Sequence, residues 1–264
     1  GDDDEDLEVT VTHHGPVIAG EPRKGWGIAI SDPGLVEGSP WLDAVRDLMK
    51  ADSVKSLEHA FRNWTDRVNN YAVADVDGNF GYLHEGKLPI RGVRNGWRAV
   101  PGWDGDHEWQ GYIPQAELPR TLNPESGYAV TCNQRVAGSD YPYYVGLNFA
   151  FEFRARRIQT QLLSLPEEGG DIESMGRIHA DCVSIPAQVL TSVLLRSEPL
   201  DEASAHALEQ LREWDLRLDR ELTAPAIYAV VQGKMLRRLT HALFGETAPL
   251  LLSDEPGADV HLRL

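Results

Sequence analysis

The apolar pattern of the chain changes character once, near Phe151, and that change limits the folds open to it. Before it, short apolar runs alternate with turn residues. Leu7-Glu8-Val9-Thr10-Val11-Thr12 alternates as a strand does, His14-Gly15-Pro16 turns it, Val17-Ile18 begins a further extended piece, and Gly27-Ile28-Ala29-Ile30 is expected as a short buried strand. Tyr71–Val76 and Phe80–Leu83 flank Asp77-Gly78-Asn79, and Asp-Gly between two apolar runs predicts a hairpin. Tyr128–Thr131 is expected as one more strand. Two helices are predicted within this part: Pro40–Met49 behind Ser39 as N-cap, and Ser56–Trp64, with Glu58 close behind its first serine and Leu57, Ala60, Phe61 and Trp64 on one face. Beyond Phe151 the period is helical over Arg154–Leu163, Asp171–Ala180, Pro186–Leu195, Glu202–Leu222 and Ala226–Phe244, with Gly245 as a stop. Strands with helices first and helices alone afterwards predict an α+β fold with a helical extension. The expected division is a strand-rich part over 1–150 and a mainly helical part over 151–264.

Charge narrows the partners. The 264 residues carry 41 acids against 25 Lys and Arg, a net charge of −16, and a surface this acidic repels a phosphate backbone. Nucleic acid is therefore not an expected partner. Only five of the basic residues are lysine, and acid excess with few lysines suits a protein kept soluble in high salt. No apolar run approaches the roughly 20 residues of a membrane helix. Cys132 and Cys182 are too few for a disulfide framework and form no Cys-x-x-Cys pair. The opening run Gly1–Asp6 is expected as a solvated tail, since it lacks the glycine and closing glutamate of a calcium loop.

Local motifs for phosphate, dinucleotide or zinc-protease chemistry are missing, as is a Gly-x-Ser-x-Gly elbow. His13 and His14 are adjacent, so a strand would point them to opposite sides, and a metal site would need partners from elsewhere. Asp104, Asp106 and Glu108 fit either an acid/base or metal cluster or turn acids that cap their own backbone. Trp97, Trp103 and Trp109 lie in the same Gly-rich stretch; they fit a sugar platform or, more simply, plugs that seat a long loop on a sheet.

The stretch from Asn70 to Ile158 resembles the penicillin acylase family, amidases whose nucleophile is an N-terminal residue released by self-cleavage. The residues that carry the resemblance are Asn70–Tyr82, Pro89-Ile90-Arg91, Val100–Gly105, Glu108–Pro114, Leu118-Pro119, Asn123–Tyr128, Thr131-Cys132-Asn133, Asp140-Tyr141-Pro142 and Arg154–Ile158, in order and at kept spacing. His14-Gly15-Pro16-Val17-Ile18 also resembles a family element.

The resemblance implies part of an αββα sandwich of the N-terminal nucleophile (Ntn) hydrolase type. It implies an amidohydrolase that cleaves small-molecule N-acyl amides through a serine whose own α-amine is the base. An amine of pKa near ~8 suits that task. Asn133 falls on the family's oxyanion asparagine; the alternative is an asparagine capping a strand end. Arg157 falls on an arginine that supports the nucleophile's amine and that asparagine; the alternative is an ion pair within the Arg154/Arg156/Arg157 cluster. Asn69 matches an acyl-pocket position where relatives carry an aliphatic residue, and Ile30 matches another pocket position; an ordinary loop or core role is the alternative for both. No cofactor is implied. Calcium is common in the family, but Asn148 stands where relatives place an aspartate ligand, which weakens a hard-cation site.

No segment resembles the family's Ser-Asn-Asn-Trp start. The chain is therefore expected to be an internal portion of the large chain, inactive alone, whose partners are the small chain and the start of the large chain. An alternative is a non-catalytic binding module that keeps the fold. Family habit implies export to the periplasm or outside the cell. Missing neighbours would bare sheet edges and an apolar face, so poor solubility or association is expected.

Overall fold

The computed structural model describes residues 8–35, 39–65, 67–166 and 169–252. Leu7 of the expected first strand, the acidic run Gly1–Asp6 and the last twelve residues lie outside this set. The chain divides into two compact units, Gly1–Ala155 and Arg156–Leu264.

The first unit holds two antiparallel three-stranded sheets. One is built in sequence order from β1 (Val11–Thr12), β2 (Gly15–Glu21) and β3 (Trp26–Ala29). Thr12 pairs with Gly15, so His13 and His14 are the two loop residues of a tight hairpin rather than strand residues. A Cβ on Gly15, at φ +118°, would stand 2.2 Å from the carbonyl oxygen of Ile30, so only glycine lets the hairpin close there. The expected burial of the third strand is not observed: Trp26 and Ile28 are 56% and 42% exposed.

The second sheet is β4 (Asn69–Ala74), β5 (Phe80–Glu85) and β6 (Arg120–Leu122). The hairpin that Asp-Gly predicts is present, but Ala74 pairs with Phe80, leaving a five-residue loop. Its organiser is Asp75. Oδ1 accepts from the amides of Asp77 and Asn79, at 3.1 and 2.9 Å, while Oδ2 accepts from the amide of Val54 at 3.1 Å. These donors hold the carboxyl below its usual range. Gly81 lets β6 approach closely, since a Cβ there would meet the Thr121 carbonyl oxygen at 2.1 Å. A small core of Leu88, Ile113 and Leu118 lies under the long loop that follows, with Ile90, Tyr143 and Val145 packed on it.

Helices α1 (Trp41–Leu48) and α2 (Val54–Ala60) start differently from expectation. Pro40, not Ser39, is the N-cap of α1, and the Ser39 hydroxyl bonds to that of Thr65 instead. Ser53 caps α2, and Ser56 is the third helical residue of a reciprocal capping box. Phe61–Asn63 form a 3-10 turn, which ends the α-helix before Trp64.

The second unit is helical. It contains α4 (Ile172–His179), α5 (Ile185–Leu194), α6 (Glu202–Arg212) and α7 (Thr223–Phe244), after α3 (Phe153–Leu162). Asp171, Ser184 and Asp201 cap α4, α5 and α6. The core joins Ala187 and Leu190 of α5, Leu211 of α6, Trp214, and Ala224 and Tyr228 of α7. The helix expected to run to Leu222 stops at Arg212. The reason lies far away in sequence: the amide of Ser184 donates to Leu216 O, and that of Leu218 to Cys182 O. Leu216 takes φ +66° to make this pairing, which a continued helix would forbid.

Candidate functional site

Asn133 sits in the loop that follows Tyr128–Thr131, where a strand is expected and none forms. The Gln134 side chain bonds back to the backbone of this loop. Its Oε1 accepts from Cys132 N at 2.6 Å, and its Nε2 donates to Val130 O at 2.9 Å. Asn133 itself has φ +64°, a left-handed conformation that asparagine tolerates better than most residues. Its carbonyl accepts from the amide of Ala150 at 2.7 Å.

Arg154, in the first turn of α3, fixes the side chain. One guanidinium nitrogen donates to Cys132 O at 2.6 Å and to Asn133 Oδ1 at 3.0 Å. Arginine can only donate, so this contact settles which end of the amide is oxygen. The Nδ2 hydrogens of Asn133 then point away from the guanidinium, on an exposed residue, and meet no protein acceptor among the described residues. Burial pushes the neighbouring Cys132 thiol up, with Arg154 pulling against it.

Arg157 makes a two-bond ion pair with Asp181, Nε at 2.7 Å and Nη2 at 3.1 Å. The pair raises the arginine and lowers the aspartate, and the Asp181 side chain is only 10% exposed. Asn69 stands exposed at the start of β4, opposite Glu85, and its Nδ2 donates to Arg67 O at 3.1 Å. Asn148 lies in the exposed loop between Asn133 and α3.

Ile30 lines a cavity of about 900 Å³ within the first unit. Its walls come from the first sheet, from Asp32 just beyond it, and from the Gly- and Trp-rich loop, including Arg91, Trp103, Trp109 and Tyr112. Trp103 is 87% exposed, so it does not plug the loop down as the simple expectation had it. Trp109 does pack, edge to face on Tyr112 with centroids 6.1 Å apart. Glu108 separates from the turn acids beside it. Asp104 Oδ1 accepts from the amide of Asp106 at 3.0 Å, a turn role, whereas Glu108 Oε1 reaches His14 Nε2 at 2.8 Å and His13 Nε2 at 3.4 Å. Sequence spacing held no signal for that contact, which joins residues 94 positions apart.

Residues 1–261 match the penicillin amidase family. The chain belongs to that family. It is 33% identical over 244 residues to the penicillin acylase 2 proenzyme of a Pseudomonas species, covering 91% of this chain and 31% of that protein. It is 31% identical over 154 residues to the acyl-homoserine lactone acylase QuiP of Pseudomonas fluorescens, covering 57% of this chain and 19% of the other. A thermostable penicillin G acylase from Alcaligenes faecalis shares the fold with a TM-score of 0.74 at 20% identity, over 97% of this chain and 49% of that one. The fold is thus α+β and of the Ntn hydrolase type, as the resemblance implies. The chain spans less than a third of the length of these two curated relatives. No helix among the described residues is long and apolar enough to cross a membrane.

Proposed function

We propose that the chain is the oxyanion-bearing part of an amide hydrolase that cleaves N-acyl amides, with the N-terminal nucleophile supplied from outside these 264 residues. The observation that carries this reading is the Arg154–Asn133 contact at 3.0 Å. It holds the amide by its oxygen and presents the N–H group as a fixed, non-titrating donor. When the nucleophile attacks an acyl carbonyl, the oxygen becomes an anion, and a donor that needs no reorganisation lowers that barrier. The positive guanidinium behind the amide polarises it and strengthens the donor.

Arg154 is a positioning residue in this scheme. Arg157, held by Asp181, serves as the support for the nucleophile's amine. Ile30 forms part of an apolar wall for the acyl group, in the cavity of the first unit, and Asn69 adds a polar edge to acyl recognition. Membership beside penicillin acylase 2 and QuiP favours β-lactam side-chain amides and acyl-homoserine lactones as the substrates to try.

The test is made in the complete precursor. Asn133→Ala lowers kcat by about 10²–10³ while self-cleavage proceeds, because one oxyanion donor is lost. Arg154→Ala lowers kcat with KM little changed, and Arg154→Lys restores part of it. Full turnover by Asn133→Ala in a correctly processed enzyme would remove the oxyanion role. Unchanged kcat in Arg154→Ala would leave Arg154 a loop anchor only.

A further inference from the structure

We infer that His13, His14 and Glu108 form a binding site for a borderline divalent transition metal, of which zinc is the type case. The three side chains offer ligand atoms that all lie within 4.8 Å of one another. Glu108 Oε1 is 2.8 Å from His14 Nε2 and 3.4 Å from His13 Nε2. Bonds of about 2.0–2.2 Å to a tetrahedral ion put neighbouring ligand atoms roughly 3.3 Å apart, so these spacings bracket what one ion needs.

The local fold explains how adjacent histidines serve one ion. In a strand they would face opposite ways. Here they are the two loop residues of the β1–β2 hairpin, and their rings lie 3.7 Å apart between centroids. Hydrogen bonds hold that loop: Thr12 Oγ1 donates to Gly15 O at 3.1 Å and accepts from His14 N at 3.2 Å, and Ser31 Oγ donates to His14 O at 2.6 Å. Gly102 lies against the His14 ring, where a Cβ would come within 3.2 Å of Cε1. The ligands are therefore preset before any ion arrives, which lowers the ordering cost of binding.

The donor set chooses the metal. Two imidazole nitrogens and one carboxylate oxygen suit zinc, cobalt, nickel or copper, whereas calcium and magnesium require oxygen nearly throughout. On binding, each ring would offer its Nε2 lone pair with its proton on Nδ1, and the ion would take the place of the His14–Glu108 hydrogen bond. Three protein ligands leave at least one coordination position open, as in catalytic rather than structural zinc sites. All three residues line the cavity of about 900 Å³, so that position is available to water or to an anionic oxygen of a bound molecule. The inference is independent of the amide hydrolase reading, because its readout is metal binding.

The decisive experiment titrates the metal-stripped full chain with zinc by calorimetry and with cobalt by visible absorption. One equivalent should bind, with the intense cobalt bands of a four-coordinate site, and a large excess of calcium should not compete. Losing even a supporting partner of a metal ligand typically weakens binding about 10- to 100-fold, so His13→Ala and Glu108→Gln should each weaken zinc by at least about tenfold. His13 is largely exposed, so its replacement leaves the fold intact, as circular dichroism would verify. Zinc binding of unchanged strength in both variants would place the metal on other residues and overturn the assignment, as would displacement of zinc by calcium.

Discussion

Glu85 is the most consequential ionisable group in the second sheet. It is 2% exposed, at the end of β5, and its Oε2 accepts a hydrogen bond from Gln115 Nε2 at 3.0 Å. Burial pushes its carboxyl from an ordinary 4.5 up to about 7; the Gln115 hydrogen bond opposes this, Glu58 adds to it, and Arg120 opposes it. Below pH 4.5 folded and unfolded chains both carry the proton, and Glu85 is neutral to stability. Between there and about pH 7 the unfolded chain gives the proton up while the folded chain keeps it, so stability falls as pH rises. The displacement from 4.5 to about 7 corresponds to about 3 kcal/mol, fully felt above the upper value. Glu85→Gln keeps an acceptor for Gln115 and removes the charge. The variant should match the wild type at pH 4.5 and exceed it by about 3 kcal/mol at pH 8. Urea denaturation followed by tryptophan fluorescence is a suitable assay, because six of the seven tryptophans lie in the first unit. The adjacent His84, which burial holds down at about 4, acts in the opposite direction as pH falls below 6.5, but it is common to both proteins and cancels in the difference. An advantage of the same size at both pH values would refute the reasoning, since it would come from packing rather than from ionisation.

Two further outcomes follow from the packing. Leu211→Ala, at 3% exposure in the core of the second unit, should cost about 2–5 kcal/mol in denaturant unfolding followed by far-ultraviolet circular dichroism, because the α5, α6 and α7 side chains around it cannot fully collapse. Gly81→Ala drives a methyl group against the Thr121 carbonyl, so β6 should detach and its amides lose exchange protection, while the β4–β5 pairing survives.

What the sequence made legible was local. The β4–β5 hairpin follows from Asp-Gly between apolar runs, and the helical period places the starts of α4 and α6 to within a residue. The α6 stop was hidden because its cause, the pairing of residues 216–218 with 182–184, is a tertiary one. The Ser39 cap failed for a similar reason: Thr65, 26 residues away, offers its hydroxyl a partner. At the site, Asn133 could be marked from resemblance, but its support by Arg154 depends on where α3 starts in space. The meeting of His13, His14 and Glu108 required both a two-residue hairpin and a contact across more than 90 residues, and neither leaves a periodic trace.

Asp75 ties two elements to one carboxylate. Oδ1 closes the loop between β4 and β5, and Oδ2 covers the first amide of α2, from a residue 21 positions earlier in the chain. Each element alone is short enough to fray. Bound through the same side chain, they open together: a fluctuation that frees the loop also bares the helix end, and a helix that unwinds pulls the clasp from the hairpin. The start of the seven-residue α2 is thus fastened to the β4–β5 loop through one side chain.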